Sequence, residues 1–113
     1  MPSHKVERIA SDINKYLSSI LLVDTNDELL KNITIIDTKV SKDLSYAKVY
    51  FTSLLNMEHK DIEREVNEAA PFLRKELAKV LDVRNIPELK FIYDTSIEYA
   101  DNIEKIIKKI NQE

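Results

Sequence analysis

Val6, Ile9, Ile13, Leu17, Ile20 and Leu21 recur every three or four residues, the spacing that lines one face of a helix, and Ser3 ahead of them can cap it. The pattern predicts a first helix over about residues 4–22 whose apolar stripe needs a partner. Asp24-Thr25-Asn26-Asp27-Glu28 is polar and turn-like, and Leu29-Leu30 read as a short tether back onto the core. The β-branched run from Ile33 to Val40 predicts a strand. In the next segment Ala47, Val49 and Phe51 alternate with Tyr46, Lys48, Tyr50 and Thr52, the period of a second strand. Only the polar link Ser41 to Asp43 lies between them, so the two form an antiparallel hairpin, without the glycine that many tight turns prefer.

Asn56 can cap a second helix in which Ile62, Val66 and Ala69 make a narrow apolar face. Pro71 interrupts what would otherwise be continuous helix to about Leu81, so a kink is expected at Ala69-Ala70-Pro71. Beyond it Phe72, Leu73, Leu77, Val80 and Leu81 are expected in the core, with Arg74, Lys75 and Lys79 outward together. Pro87 then opens a third strand, where its missing N–H is tolerated, and Leu89, Phe91 and Tyr93 alternate with Glu88, Lys90 and Ile92. Phe91 and Tyr93 are expected in the core. Thr95 and Glu98 have the spacing of a capping box that starts a last helix. Its face of Ile103, Ile106, Ile107 and Ile110 can pack on the core or pair with another copy. The order is α-β-β-α-kink-α-β followed by a C-terminal helix. A hairpin followed by a helical crossover to a third strand packs naturally as one sheet covered on one face by helices, an α+β two-layer domain.

The chain has 113 residues, 43% of them hydrophobic, which is enough for one domain spanning 1–113 with a single core. It has no Cys, so thiolate metal sites, disulfides and a cysteine nucleophile are excluded. His4, Lys5, Glu7 and Arg8 fall where a secretory signal would be apolar, and no apolar run approaches the ~20 residues of a membrane span. A soluble, cytoplasmic protein is expected. The formal net charge of −3 argues against a generally basic nucleic-acid binder, so any RNA contact needs cations gathered on one face. Charge is uneven along the chain. Glu58, Asp61, Glu63, Glu65 and Glu68 outweigh Lys60 and Arg64, whereas Arg74, Lys75, Lys79, Arg84 and Lys90 outweigh Glu76, Asp82 and Glu88. Lys105, Lys108 and Lys109 form a second basic cluster. The plainer reading of each cluster is a solvated helix face or end charges that suit the helix dipole.

Catalytic chemistry finds little to hold. His4 and His59 stand in no metal-ligand spacing, no serine elbow or cofactor motif is present, and with no Gly anywhere a P-loop or dinucleotide fingerprint is absent. The expectation is a non-enzyme without cofactor or metal.

Four segments in order give the chain a family likeness: His4-Lys5-Val6-Glu7-Arg8-Ile9, Asp43-Leu44-Ser45-Tyr46-Ala47-Lys48-Val49-Tyr50, the kink region from Ala69 to Arg74, and Ile86-Pro87-Glu88-Leu89-Lys90-Phe91 with Asp94-Thr95-Ser96-Ile97. Over nearly its whole length it resembles ribosome-binding factor A, the bacterial assembly factor of the small ribosomal subunit. The resemblance implies a KH-like fold of the bacterial type, binding to the small subunit and its rRNA, late maturation with precursor-end processing, and importance for growth in the cold. Other assembly factors or GTPases would be further partners. In that family a helix-kink-helix marked by alanine, any residue and glycine replaces the glycine-rich loop of ordinary KH domains. Here the matching positions are Ala69, Ala70 and Pro71. Proline fixes φ and has no N–H, so it preserves the kink while ruling out a backbone contact to phosphate at that residue.

RNA would then be held by side chains. The candidates are Arg74, Lys75, Lys79 and Arg84, with Lys5, Arg8 and Lys90 as further ones, all suited to phosphate. Tyr46, Tyr50 and Tyr93 could stack on bases if they sit on an open sheet face, although cross-strand pairing is the commoner use of such tyrosines. The alternative reading is a small protein-interaction domain without RNA binding, served by the acidic helix. A monomer is expected, because no exposed apolar stripe is evident.

Overall fold

The computed structural model describes residues 4–25, 27–81, 83 and 85–95. They form α1 (His4–Ser19) continuing into a π-helical turn (Ile20–Asp24), α2 (Glu28–Lys31), β1 (Ile33–Val40), β2 (Tyr46–Ser53), α3 (His59–Glu68), α4 (Ala70–Val80) and β3 (Glu88–Tyr93). Ser3, Arg84, Glu98 of the expected capping box and the expected last helix with its basic cluster Lys105, Lys108 and Lys109 lie outside the described residues. No helix among the described residues is long and apolar enough to cross a membrane.

The apolar stripe of α1 does what its period predicts, burying Ile9, Ile13 and Leu17. The helix departs from expectation at its end. The chain closes there in a π-helical turn instead of continuing as α-helix, while Ile20 and Leu21 are buried, as the stripe predicts, and Leu22 and Val23 face outward. The Leu29-Leu30 tether is itself one helical turn. The Asp27 carboxylate caps it, accepting from the N–H groups of Leu29 at 2.9 Å and Leu30 at 3.3 Å, and Leu30 is buried.

The sheet has the order β1-β2-β3, with β1 antiparallel and β3 parallel to β2. A bulge at Ile36 breaks the β1–β2 register, since Ile35 lies opposite Phe51 and Asp37 opposite Tyr50. The extra residue reverses which side chains face inward. Ile33 and Ile35 point to the helices before the bulge, Thr38 and Val40 after it, opposite the core-facing Val49 and Ala47. Leu89 and Phe91 complete the inner face, and the rings of Phe51, Phe91 and Tyr93 meet edge to face at 5.2–6.3 Å. Tyr93 is half-buried rather than enclosed, and its hydroxyl donates to the Ser53 carbonyl at 3.2 Å.

The kink between α3 and α4 is a single residue, Ala69, at φ −85° and ψ −5°. Pro71 occupies the second position of α4, within the first turn, where a missing N–H is tolerated. Two expectations are corrected here. Helix α3 starts at His59 with Glu58, not Asn56, at its N-cap, and the Glu58 carbonyl accepts the first helical bonds from Asp61 and Ile62. Phe72 and Val80 are 42% and 48% exposed, because α4 presents only the i, i+4 pair Leu73 and Leu77 to the sheet. Elsewhere Leu22 and Val23 of the π-helical turn and Leu54 after β2 are exposed at 73%, 75% and 93%.

Candidate nucleic-acid interface

Lys5 and Arg8 stand one turn apart on the exposed side of α1, and the fold brings α4 and two connecting segments up to them. A cavity of about 560 Å³ results. Lys5, Arg8 and Ile9 line it from α1, Asp43, Leu44 and Ser45 from the β1–β2 turn, Arg74 from α4, and Val83, Asn85 and Ile86 from the segment leading into β3. A shallower groove continues from Arg74, Asn85 and Ile86 to Pro71, Lys75 and Ala78.

Three local contacts hold this shape. The Glu88 N–H donates to the Ser45 carbonyl at 2.9 Å, pinning the turn to the start of β3. The Arg74 guanidinium donates to the Ile86 carbonyl from Nε at 3.2 Å and from Nη2 at 2.7 Å, which fixes its plane and leaves its remaining N–H donors for other partners. Within the turn, Asp43 Oδ1 accepts from the hydroxyls of Ser41 at 2.7 Å and Ser45 at 2.6 Å and from the Ser45 N–H at 3.1 Å. This cluster supports Leu44 at φ 63°, a left-handed conformation usually left to glycine, which this chain lacks. The Ser45 hydroxyl, then the Ser41 hydroxyl, lower the Asp43 carboxyl to about 2, so it is ionised throughout the physiological range.

Among the described residues, the cations bordering the cavity, Lys5, Arg8 and Arg74, therefore outnumber its one carboxylate, and that carboxylate is occupied by hydroxyl and amide donors. Such a site attracts a polyanion without reading its sequence. It offers no backbone cradle at the kink, where Pro71 has no N–H.

The other expected site residues are dispersed. Lys75 borders the shallow groove beside Arg74. Lys79 is turned away into an ion pair with Glu76 at 3.1 Å. Lys90 lies on the opposite face of the sheet, which none of the described helices covers, directly across from Lys48. Ala69 and Ala70 are half-buried against the core and Pro71 is exposed. Arg84 lies outside the described residues. Tyr46 and Tyr50 do share the uncovered face, whereas Tyr93 packs on Phe51 and against the His59 ring at 4.0 Å. Charge counting does not find the turn residues Asp43 to Ser45 or Asn85, because their place at the cavity comes from chain closure. The Asp-Leu-Ser sequence of the turn is the only local signal.

The model of the ribosome-binding factor A family matches residues 5–107. A protein named ribosome-binding factor A from Pelobacter propionicus is 40% identical over 112 residues, covering 98% of this chain and 92% of its own length. Among solved structures, that of a putative ribosome binding factor A from Thermotoga maritima superposes with a TM-score of 0.68 at 31% identity, over 87% of this chain and 94% of that one. The Thermus thermophilus ribosome binding factor A, fitted into a map of its complex with the 30S subunit, gives a TM-score of 0.63 at 23% identity, over 76% and 91%. The α+β architecture described above is thus the KH-like fold shared by these structures.

Proposed function

This chain belongs to the ribosome-binding factor A family, and we propose that it binds the small ribosomal subunit through its rRNA, acting in late maturation and supporting processing of the precursor ends. The observation that carries this reading is the gathering of Lys5, Arg8 and Arg74 round one cavity in a chain whose net charge is −3. Cations so concentrated supply the salt-dependent phosphate attraction, and the folded shape of the rRNA supplies the choice of site. Lys75 extends the basic surface along the shallow groove, and the sequence adds Arg84 as a further candidate. The 30S complex of the Thermus relative supports the choice of subunit. The same reading makes the protein a cytoplasmic, non-catalytic monomer whose activity matters most in the cold, when RNA refolding is slow.

The test is co-sedimentation with isolated small and large subunits across a salt series, using the wild type and the variant Lys5→Ala/Arg8→Ala/Lys75→Ala. Arg74 is left in place because its guanidinium anchors Ile86. The expected result is binding to the small subunit alone, weakening with salt by about 0.9 log units per neutralised duplex phosphate for each log unit of salt, with a weaker and shallower response in the variant. Salt-insensitive binding that the variant retains would overturn the groove and favour a protein contact instead. No binding to either subunit at low salt would overturn the proposal as a whole.

A further inference from the structure

On the face of the sheet away from the helices, Lys39 stands directly opposite Lys48, and Lys48 directly opposite Lys90. All three are exposed, and none forms an ion pair with a described residue. With adjacent strands roughly 4.8 Å apart, the row spans about 10 Å of sheet. Like charges placed opposite one another destabilise a sheet, so the row works against the fold. The acids of this face, Asp37 and Glu88, fall in neighbouring rows, opposite Tyr50 and Tyr46 respectively, and leave the lysine row itself uninterrupted.

Tyr46 and Tyr50 flank Lys48 along β2 on the same face, about 13 Å apart at the usual strand rise. Tyr46 is 57% exposed, and Lys39 Nζ lies 5.7 Å from the centre of the Tyr50 ring. A cationic row crossed by ring faces combines phosphate attraction with base stacking, the two interactions that hold single-stranded nucleic acid. A duplex keeps its bases stacked inside and uses only the first. The face also meets the cationic cavity at one end of the sheet, where Ser45 lines the cavity and the next residue, Tyr46, opens the face.

We propose that the uncovered sheet face is a second RNA-contact surface, which takes an unpaired rRNA segment with phosphates over Lys39, Lys48 and Lys90 and bases against Tyr46 and Tyr50. The inference rests on RNA being the ligand, as proposed above. It adds a distinct surface and a distinct substrate class, single-stranded rather than folded RNA.

Binding of a short labelled oligouridine to the full chain is measured by fluorescence anisotropy across a salt series, beside a hairpin RNA and polyglutamate as competitors. Lys39→Ala/Lys48→Ala/Lys90→Ala is expected to weaken oligouridine binding at low salt on the order of tenfold or more. Its salt slope should be shallower by about 2, from three phosphates at roughly 0.7 each. Tyr46→Leu/Tyr50→Leu should weaken it by about tenfold, and Tyr46→Phe/Tyr50→Phe should restore it, since the ring and not the hydroxyl stacks. Lys5→Ala/Arg8→Ala should keep oligouridine binding while weakening subunit binding. The inference is overturned if oligouridine is not bound, if the lysine variant binds it with an unchanged slope, or if polyglutamate competes equally well. If those variants leave oligouridine untouched while the cavity variants release the subunit, this surface falls and the proposed function stands. Lysine-dependent oligouridine binding without any subunit binding would instead uphold the surface and overturn the proposed function.

Discussion

Asn67 on α3 pairs with the main chain of Phe91 as a neighbouring strand would, its Nδ2 donating to the Phe91 carbonyl at 2.9 Å and its Oδ1 accepting from the Phe91 N–H at 2.8 Å. Strand β3 is an edge of the sheet, and its outward main-chain groups need partners. Glu63 Oε2 supplies the next one, accepting from the Tyr93 N–H at 2.9 Å. Two side chains one helical turn apart thus fasten α3 along the edge and close it to further strands. Asn67→Ala is expected to lower the unfolding free energy by about 2 kcal/mol, chiefly from the two lost bonds to Phe91 and the unpaired groups left behind. Asn67→Asp should do no better, because it sets a carboxylate oxygen against the Phe91 carbonyl. Urea denaturation reads the loss and hydrogen exchange at the Phe91 amide locates it. An unchanged midpoint for the Ala variant would mean that α3 docks by its apolar face alone.

Thr38 is a polar residue facing the core, 6% exposed, and its hydroxyl has no hydrogen-bond partner among the described residues. Thr38→Val keeps the shape and the β-branch while removing the unpaired hydroxyl. It should stabilise the fold by about 1 kcal/mol. Thermal unfolding that shows no gain, or a loss, would reveal a partner for the hydroxyl and refute the assignment.

Much of this architecture is legible in the sequence because it rests on local periodicity. The alternation of Leu89, Phe91 and Tyr93, the stripe of Ile9, Ile13 and Leu17, and the break before Pro71 all survive into the structure. What is not legible depends on where segments meet. Strict alternation from Ile33 would turn Lys39 inward with Ile35. The bulge at Ile36 sends it outward instead, and two adjacent isoleucines give no local sign of it. The candidate site divides in the same way. Segment charge points to Arg74, which does converge with the further candidates Lys5 and Arg8, but it equally points to Lys79, which pairs with Glu76, and to Lys90, on the other side of the sheet. Charge along a chain does not record which face a residue will occupy.

Asp43 makes the β1–β2 turn sensitive to acid. Its carboxyl is held at about 2 instead of the ordinary 3.8, first by the Ser45 hydroxyl and then by that of Ser41. A depressed carboxyl stabilises the native state fully above its unfolded value and loses that contribution as pH falls through the native one. Asp43→Ala should therefore lower the melting temperature by a constant amount at neutral pH, and the gap to the wild type should narrow as pH falls below about 4 and go on narrowing through about 2. The variant also withdraws support from the left-handed Leu44 that borders the cavity. A gap that does not change with pH would show that the turn is held by shape alone.

Lys48 stands between Lys39 and Lys90, so stability and binding pull in opposite directions at this one position. Lys48→Glu converts two repulsive cross-strand neighbours into attractive ones, each worth roughly 0.2–1 kcal/mol on an exposed sheet. A net gain of about 1 kcal/mol is expected, which for a domain of this size raises the melting temperature by roughly 4–8 °C. Because the side chains are exposed, the gain should shrink as salt is added and screening shortens the reach of each charge. The same substitution puts a negative charge where the sheet face is proposed to hold a phosphate, so oligouridine binding should fall further than in Lys48→Ala. A more stable protein that binds less RNA would identify the lysine row as a feature kept for its ligand. A variant that gains no stability at low salt would show that the three ammonium groups already avoid one another, and that the row exerts no strain on the fold.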